Sequence, residues 1–122
     1  MATIFPNPNN DPVFGTAEDD ILVGDARNNT FFGFAGNDEI LGGDGNDTLN
    51  GGVCFFDTAD YSSAIAAVTV NLATGTAIGG DGNDALVGIE AVTGSQFNDN
   101  LTVGTGNDDL FGQLGNDTLK QH

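Results

Sequence analysis

The chain has 122 residues and a formal charge of −16, from 18 acidic against 2 basic side chains. That balance excludes a nucleic-acid or anionic-membrane role, which needs Lys and Arg against phosphate, and favours cations as partners. Nineteen glycines, with few large apolar residues beyond nine Phe, exclude a thick two-layer core and in an aperiodic chain would read as disorder.

Residues 1–14 hold all three prolines and no periodicity, so they are expected to form a lead-in or cap, with Phe5 and Phe14 packed over the first turn. From Gly15 the chain falls into a nine-residue register. Its clearest copy is Gly42-Gly43-Asp44-Gly45-Asn46-Asp47-Thr48-Leu49-Asn50. Glycines and Asn packed so densely cannot form a helix or an interior strand, so the first two thirds form a tight loop. The Asp that closes the loop can point its carboxylate back towards the loop's own carbonyls. Thr48-Leu49-Asn50 alternates polar, apolar, polar, as a very short strand with one inward side chain should.

Aligned on that sixth place, Asp20, Asn29, Asp38 and Asp47 follow one another at intervals of nine, with Gly15, Gly24, Gly33 and Gly42 in the first place. The inward residues are then Leu22, Phe31, Ile40 and Leu49. The first two copies are degraded, with Glu18 and Arg27 where Gly36 and Gly45 stand later and Asn29 in place of a carboxylate, so their sites are expected to be weaker. Residues 15–57 thus read as a first array. Its last unit, 51–57, carries one residue too many, with Phe55 in a glycine place, and a bulge is expected there. The single cysteine, Cys54, can form no internal disulfide and reads as an inert apolar residue.

Residues 58–78 read as degenerate or inserted strands. Val68-Thr69-Val70-Asn71-Leu72 alternates as a strand does, and the segment either continues the coil with ion-free turns or protrudes as a hairpin. Residues 79–120 read as a second array in the same continuous domain. Gly79 to Val87 matches the unit in full, Gly88 to Thr93 is a shortened unit, and three more follow with Asp99, Asp108 and Asp117 in the sixth place and Leu101, Leu110 and Leu119 inward. The chain stops at Lys120-Gln121-His122 directly after a strand, which suggests a fragment, a designed boundary, or a solenoid end covered by a partner or a second copy.

These residues resemble the calcium-binding nonapeptide of the repeats-in-toxin (RTX), hemolysin-type family. Gly33 to Leu41 and Gly112 to Lys120 lack only its second glycine, and the segment from Asp57 to Ser62, with Gly88-Ile89-Glu90 and Gly94-Ser95, resembles an insertion of bacterial members. The resemblance implies an all-β fold, a right-handed parallel β-roll or flattened solenoid, with calcium between stacked loops 18 residues apart. One loop has only backbone carbonyls and a single Asp to give, and calcium takes about 6 to 8 oxygens, so two loops complete the shell. The ligand set so implied is Asp20, Asn29, Asp38, Asp47, Asp57, Asp84, Asp99, Asp108 and Asp117, with Gly33, Ala35, Gly36, Gly42, Asp44 and Gly45 in the loops. Asp20 is then paired with Asp38, Asn29 with Asp47, Asp38 with Asp57, and Asp99 with Asp117. Asp84 shares a side with Asp99, and Glu90 faces Asp108.

The function expected is a calcium-binding β-roll module of a secreted bacterial protein, exported in one step and folding on calcium outside the cell. The alternatives are an accessory or C-terminal fragment of a secreted hydrolase or epimerase, or a calcium-dependent adhesive or surface element. Nothing reads as an enzyme: the one His is His122, and neither a Gly-x-Ser-x-Gly elbow nor a His-Glu-x-x-His helix is present. No stretch reaches the ~20 apolar residues of a membrane span, and the N-terminus has no basic-then-apolar leader pattern. Asp11, Asp25, Glu39, Asp44, Asp60, Asp81 and Asp109, outside the sixth place, read from position alone as solvated charges.

Overall fold

The structure is a computed structural model that describes residues 2–5, 12–52, 56–79, 82–102, 104 and 109–120. Among these it contains fourteen strands and no helix: β1 (Ala2–Ile4), β2 (Val13–Phe14), β3 (Asp20–Val23), β4 (Thr30–Phe32), β5 (Glu39–Leu41), β6 (Thr48–Asn50), β7 (Thr58–Asp60), β8 (Val68–Asn71), β9 (Thr76–Gly79), β10 (Gly82–Val87), β11 (Ala91–Thr93), β12 (Asn100–Thr102), β13 (Asp109–Phe111) and β14 (Thr118–Lys120). No helix among the described residues is long and apolar enough to cross a membrane.

Successive units feed alternate sheets. A six-stranded sheet runs β1-β3-β5-β7-β11-β13 and an eight-stranded sheet runs β14-β12-β8-β9-β10-β6-β4-β2. Because every second unit returns to the same sheet, β3 pairs parallel with β5, Leu22 opposite Ile40, and β4 with β6, Phe31 opposite Leu49. This is a β-roll, two sheets of short, mostly parallel strands facing one another across a core one side chain deep from each.

The three-residue strands follow from their pattern. In β4, β5, β6 and β7 the middle residue is buried and its neighbours only half so, as the alternation of side chains across a pleat requires. Leu22, Phe31, Ile40, Leu49, Ala59, Val92 and Leu101 are completely enclosed, and each large one contributes about 1.5–3 kcal/mol by leaving water. Phe31 is the largest of them. Phe31→Ala is expected to cost about 3–5 kcal/mol, read from the denaturant midpoint in saturating calcium. Phe32→Ala, which removes an outer ring stacked on Phe14 and Phe34 at 5.7 and 6.2 Å, should cost clearly less. Equal costs would mean that the inward row is not the core.

The N-terminal end departs from expectation. Phe14 and Phe5 are exposed, and Phe14 lies on the outer face of the sheet in that aromatic stack. The inward position of β2 belongs to Val13, opposite Phe31, and Val13 is buried with Ile4 packed beside the same core. The two-residue alternation in β2 puts adjacent side chains on opposite faces, so only one of Val13 and Phe14 can point in.

Residues 58–79 neither continue the coil unchanged nor protrude. β7 keeps the coil's place in the six-stranded sheet, against β5 and β11. β8, β9 and β10 then run up, down and up in the plane of the eight-stranded sheet, β9 being antiparallel to both neighbours. β10 rejoins β6 and β8 adjoins β12, both in parallel. Gly79 to Val87, read as an intact unit, is therefore corrected. Gly79 pairs with Gly82 across β9 and β10, both at positive φ, and Asn83 and Asp84 already lie in the strand. Glycines that suit a metal loop also suit an antiparallel hairpin, where twist demands left-handed backbone at the turn. The expected bulge at Phe55, and Cys54, fall outside the described residues, although Asp57 does stand 19 rather than 18 places after Asp38.

Candidate metal sites in the stacked loops

Each loop crosses from one sheet to the other, so loops two units apart stack along the two edges of the roll. Their sixth-place side chains form ladders. Asp20 N–H donates to Asp38 Oδ1 at 2.8 Å, Asp38 N–H to Asp57 Oδ1 at 2.8 Å, and Asp57 N–H to Glu90 Oε1 at 2.9 Å. On the other edge Asn29 N–H donates to Asp47 Oδ1 at 2.7 Å and Asp47 N–H to Asp84 Oδ1 at 2.8 Å. Farther along, Asp99 N–H donates to Asp117 Oδ1 at 2.8 Å and Val68 N–H to Asp99 Oδ1 at 2.9 Å.

A second ladder runs beside the first with opposite polarity. The fifth-place amide of each later loop donates back to the side chain of the earlier one: Asn37 to Asp19, Asn46 to Asn28, Asn83 to Asn46 and Asn116 to Asn98, at 2.7–3.0 Å. Neighbouring loops are thus clamped in both directions, which fixes the 18-residue stagger without any long side chain.

The loop backbone explains the glycines. A Cβ on Gly42 would stand 2.7 Å from Asp47 Oδ2, so the first place must be bare for the carboxylate to fold over it. Gly45, at φ +97°, would meet the carbonyl oxygen of Arg27 in the loop below at 2.6 Å. Gly43 stands likewise over the carbonyl of Asp25 and Gly52 over that of Phe34. The gap between loops is therefore lined with backbone oxygens.

Those oxygens, with the carboxylates, fit calcium. One oxygen of each of Asp38, Asp57 and Asp99 engages the ladder, while Oδ2 is buried and accepts no hydrogen bond. Hydrogen bonds otherwise satisfy nearly all buried polar atoms, and a buried bare carboxylate oxygen is costly. Among the described residues no three His, Cys, Asp or Glu side chains converge. A shell built here must draw on carbonyls, as calcium's preference for many hard oxygens allows. When bound, the ion supplies two positive charges that cancel facing carboxylates and hold one loop to the next.

Electrostatics marks the same residues. Burial, reinforced by the charges of Asp20 and Asp19, raises the Asp38 carboxyl to about 6 despite the hydrogen bond from the Asp20 amide. Burial again, with the charges of Asp38, Glu90 and Asp19, raises Asp57 to about 7. Away from the loops, on the six-stranded sheet, a hydrogen bond to Asp60, then burial, raises Glu39 to about 7. Burial works upward on Asp60 too, but the hydrogen bonds from Glu39 and Ser62 outweigh it and leave Asp60 lowered. This contact between the two carboxyls was not expected of two solvated charges. Asp25 is likewise engaged: its bonds to Arg27, including a 2.6 Å ion pair, hold it down at about 2.

The candidate ligands divide as follows. Asp20, Asn29, Asp38, Asp47, Asp57, Asp84, Asp99 and Asp117 all lie on the ladders, the pairings expected at 18-residue spacing among them. Asp84 shares the eight-stranded sheet with Asp99, but β9 and β8 intervene. Glu90 stands beside Asp57, and its expected partner Asp108 falls outside the described residues. The Gly33 and Gly42 carbonyls reach back against Gly15 and Gly24. Gly36 and Gly45 lie over the carbonyls of the loop before, and Ala35 and Asp44 hold third places, Asp44 exposed. The Glu18, Arg27 and Phe34 carbonyls were missed, since these residues depart from the repeat in side chain and contribute only backbone. Nine-place counting also missed the Asp47–Asp84 contact, made across 37 residues.

Among curated proteins nothing matches the chain. A family model described as RTX calcium-binding nonapeptide repeat (4 copies) matches residues 14–52 and 87–119 and passes over the hairpin between them. With more than half of its length matched, and the loops of that repeat stacked as described, the chain belongs to the RTX calcium-binding nonapeptide-repeat family.

Proposed function

We propose that this calcium-binding repeat module is a folding switch of a secreted bacterial protein, unfolded where calcium is scarce and assembled into its roll outside the cell. The observation that carries the reading is the buried carboxylates on both edges of the roll, Asp38 and Asp57 on one and Asp99 on the other, each with one oxygen bare. A chain built this way is incomplete without cations. Export in one unfolded passage suits it, because no disulfide can form within the chain and the stabilising partner is met on arrival.

The module works by binding and folding, with no catalytic centre of its own. The family is a structural calcium-binding repeat, and the sixth-place acidic groups here serve the ladders. Titration calorimetry with calcium, set against magnesium at equal concentration, tests the proposal. Several ions are expected per chain, with heat that includes folding, and magnesium should fail because it demands a small octahedral shell and sheds water reluctantly. Calcium binding without a change in secondary structure, or equal response to both ions, would refute it.

A further inference from the structure

The loops are not equivalent, and the residue in the second place divides them. In four loops that residue is left-handed: Phe34 (φ 69°), Gly43 (φ 76°), Gly52 (φ 103°) and Gln113 (φ 64°). Left-handed backbone is strained for Phe and Gln, so a side chain alone does not explain it; the turn is being held. In the loops of Phe34 and Gly52, the sixth-place Asp38 and Asp57 keep Oδ2 bare.

The first two loops are built otherwise. Thr16 donates its N–H to Asp20 Oδ2 at 2.6 Å and places its hydroxyl 3.0 and 2.9 Å from the two carboxylate oxygens. Asp25 donates its N–H to Asn29 Oδ1 at 3.0 Å, and Asn29 Nδ2 donates to Asp25 Oδ1 at 3.2 Å. Arg27, in the fourth place where later loops carry glycine, closes on Asp25 through Nε and Nη2 at 2.9 and 2.6 Å. Neither Thr16 nor Asp25 is left-handed, and neither is Ser95, but the Ser95 hydroxyl reaches only Asp99 Oδ1 and leaves Oδ2 bare, so the bond to the oxygen folded over the first-place glycine, not the backbone alone, sets the first two loops apart. The substitutions that look like decay of the repeat therefore act together: hydroxyl, amide and guanidinium groups satisfy oxygens that a cation would satisfy elsewhere.

We propose that the loops 15–20 and 24–29 form a calcium-independent seed at one end of the roll, in which Thr16 and Asp25 take over the ion's role at Asp20 and Asn29. The seed rests on calcium binding by the other loops and sets the order of their assembly. The ladders give the mechanism: Asp20 and Asn29 amides already aim at the Asp38 and Asp47 carboxylates, so a standing first coil presents the next loop with its register. Calcium then adds coils outward from the N-terminal end.

Hydrogen exchange of the full chain, followed by mass spectrometry as calcium is withdrawn, tests this order. β3 and β4 should lose protection last, exchanging about tenfold more slowly than β12 and β14 at the midpoint, as a few retained hydrogen bonds imply. The pair D25G/N29D, which restores the second-place glycine and the sixth-place carboxylate, should bind a further ion by calorimetry and lose that advantage. Thr16→Gly should lose it without gaining an ion on the other edge. Simultaneous loss of protection along the parent chain, or an unchanged ion count in D25G/N29D with the advantage intact, would overturn the seed. Absence of calcium binding anywhere would instead overturn the function on which it rests.

Discussion

In chelator at neutral pH the chain is expected to lose most of its β-structure, and to regain it as calcium rises into the millimolar range. The reason is the carboxylate spacing. Stacked loops share the strand repeat of about 4.8 Å, and two charges about 5 Å apart at an effective dielectric of 20 repel by roughly 3 kcal/mol. Asp20, Asp38, Asp57 and Glu90 follow one another along one edge with their amides and carboxylates interlocked, so several such repulsions accumulate. A domain's whole stability is typically about 5–15 kcal/mol, and the thin core cannot absorb that loss. Far-UV circular dichroism checks it. A chelated protein whose β signal equals that of the calcium-loaded form would show that the ladder hydrogen bonds alone hold the roll.

The same ladders show what was legible beforehand. Register and inward row could be read directly, since a period of nine with one large apolar residue per unit leaves little freedom: Leu22, Phe31, Ile40 and Leu49 are all completely enclosed. The pairing of loops 18 apart came from the family resemblance, which implies that alternate units lie on alternate sides of the roll. What failed did so for stated physical causes. Gly79 to Val87 was misread because left-handed glycines serve hairpins and metal loops alike. The Asp47–Asp84 contact was invisible because the inserted strands separate its members by 37 residues. Glu90 takes the place of an Asp beside Asp57, its longer side chain standing in a shortened unit that periodicity alone does not align. Glu18, Arg27 and Asn29 read as drift from the motif and Asp25 as a solvated charge, and only the hydrogen-bond partners of Thr16 and Asp25 reveal those two as substitutes.

Acid should partly rescue the calcium-free chain, and the direction of that effect separates the buried carboxylates from charge in general. Asp38 and Asp57 hold protons more tightly folded than unfolded, rising from 3.8 to about 6 and about 7. Their contribution to stability is therefore present in full below 3.8 and is lost as pH rises through 6 and 7. At about 1.4 kcal/mol per unit the shifts bound the loss at roughly 3 kcal/mol for Asp38 and roughly 4–5 kcal/mol for Asp57, reduced by solvent screening. In chelator, β-structure or compactness should accordingly increase as the pH falls from neutrality to about 4.5. With calcium present the sign reverses, because protons and the ion compete for the same oxygens and the calcium midpoint must rise over the same interval. Asp57→Asn supplies the control. Its amide oxygen still accepts the Asp38 N–H, but no charge remains to be titrated, so the acid rescue should shrink while calcium affinity falls. If Asp57→Asn keeps the parent's full pH response, the burial of that carboxylate is not what makes the empty roll unstable, and the repulsion must be sought among the exposed acids.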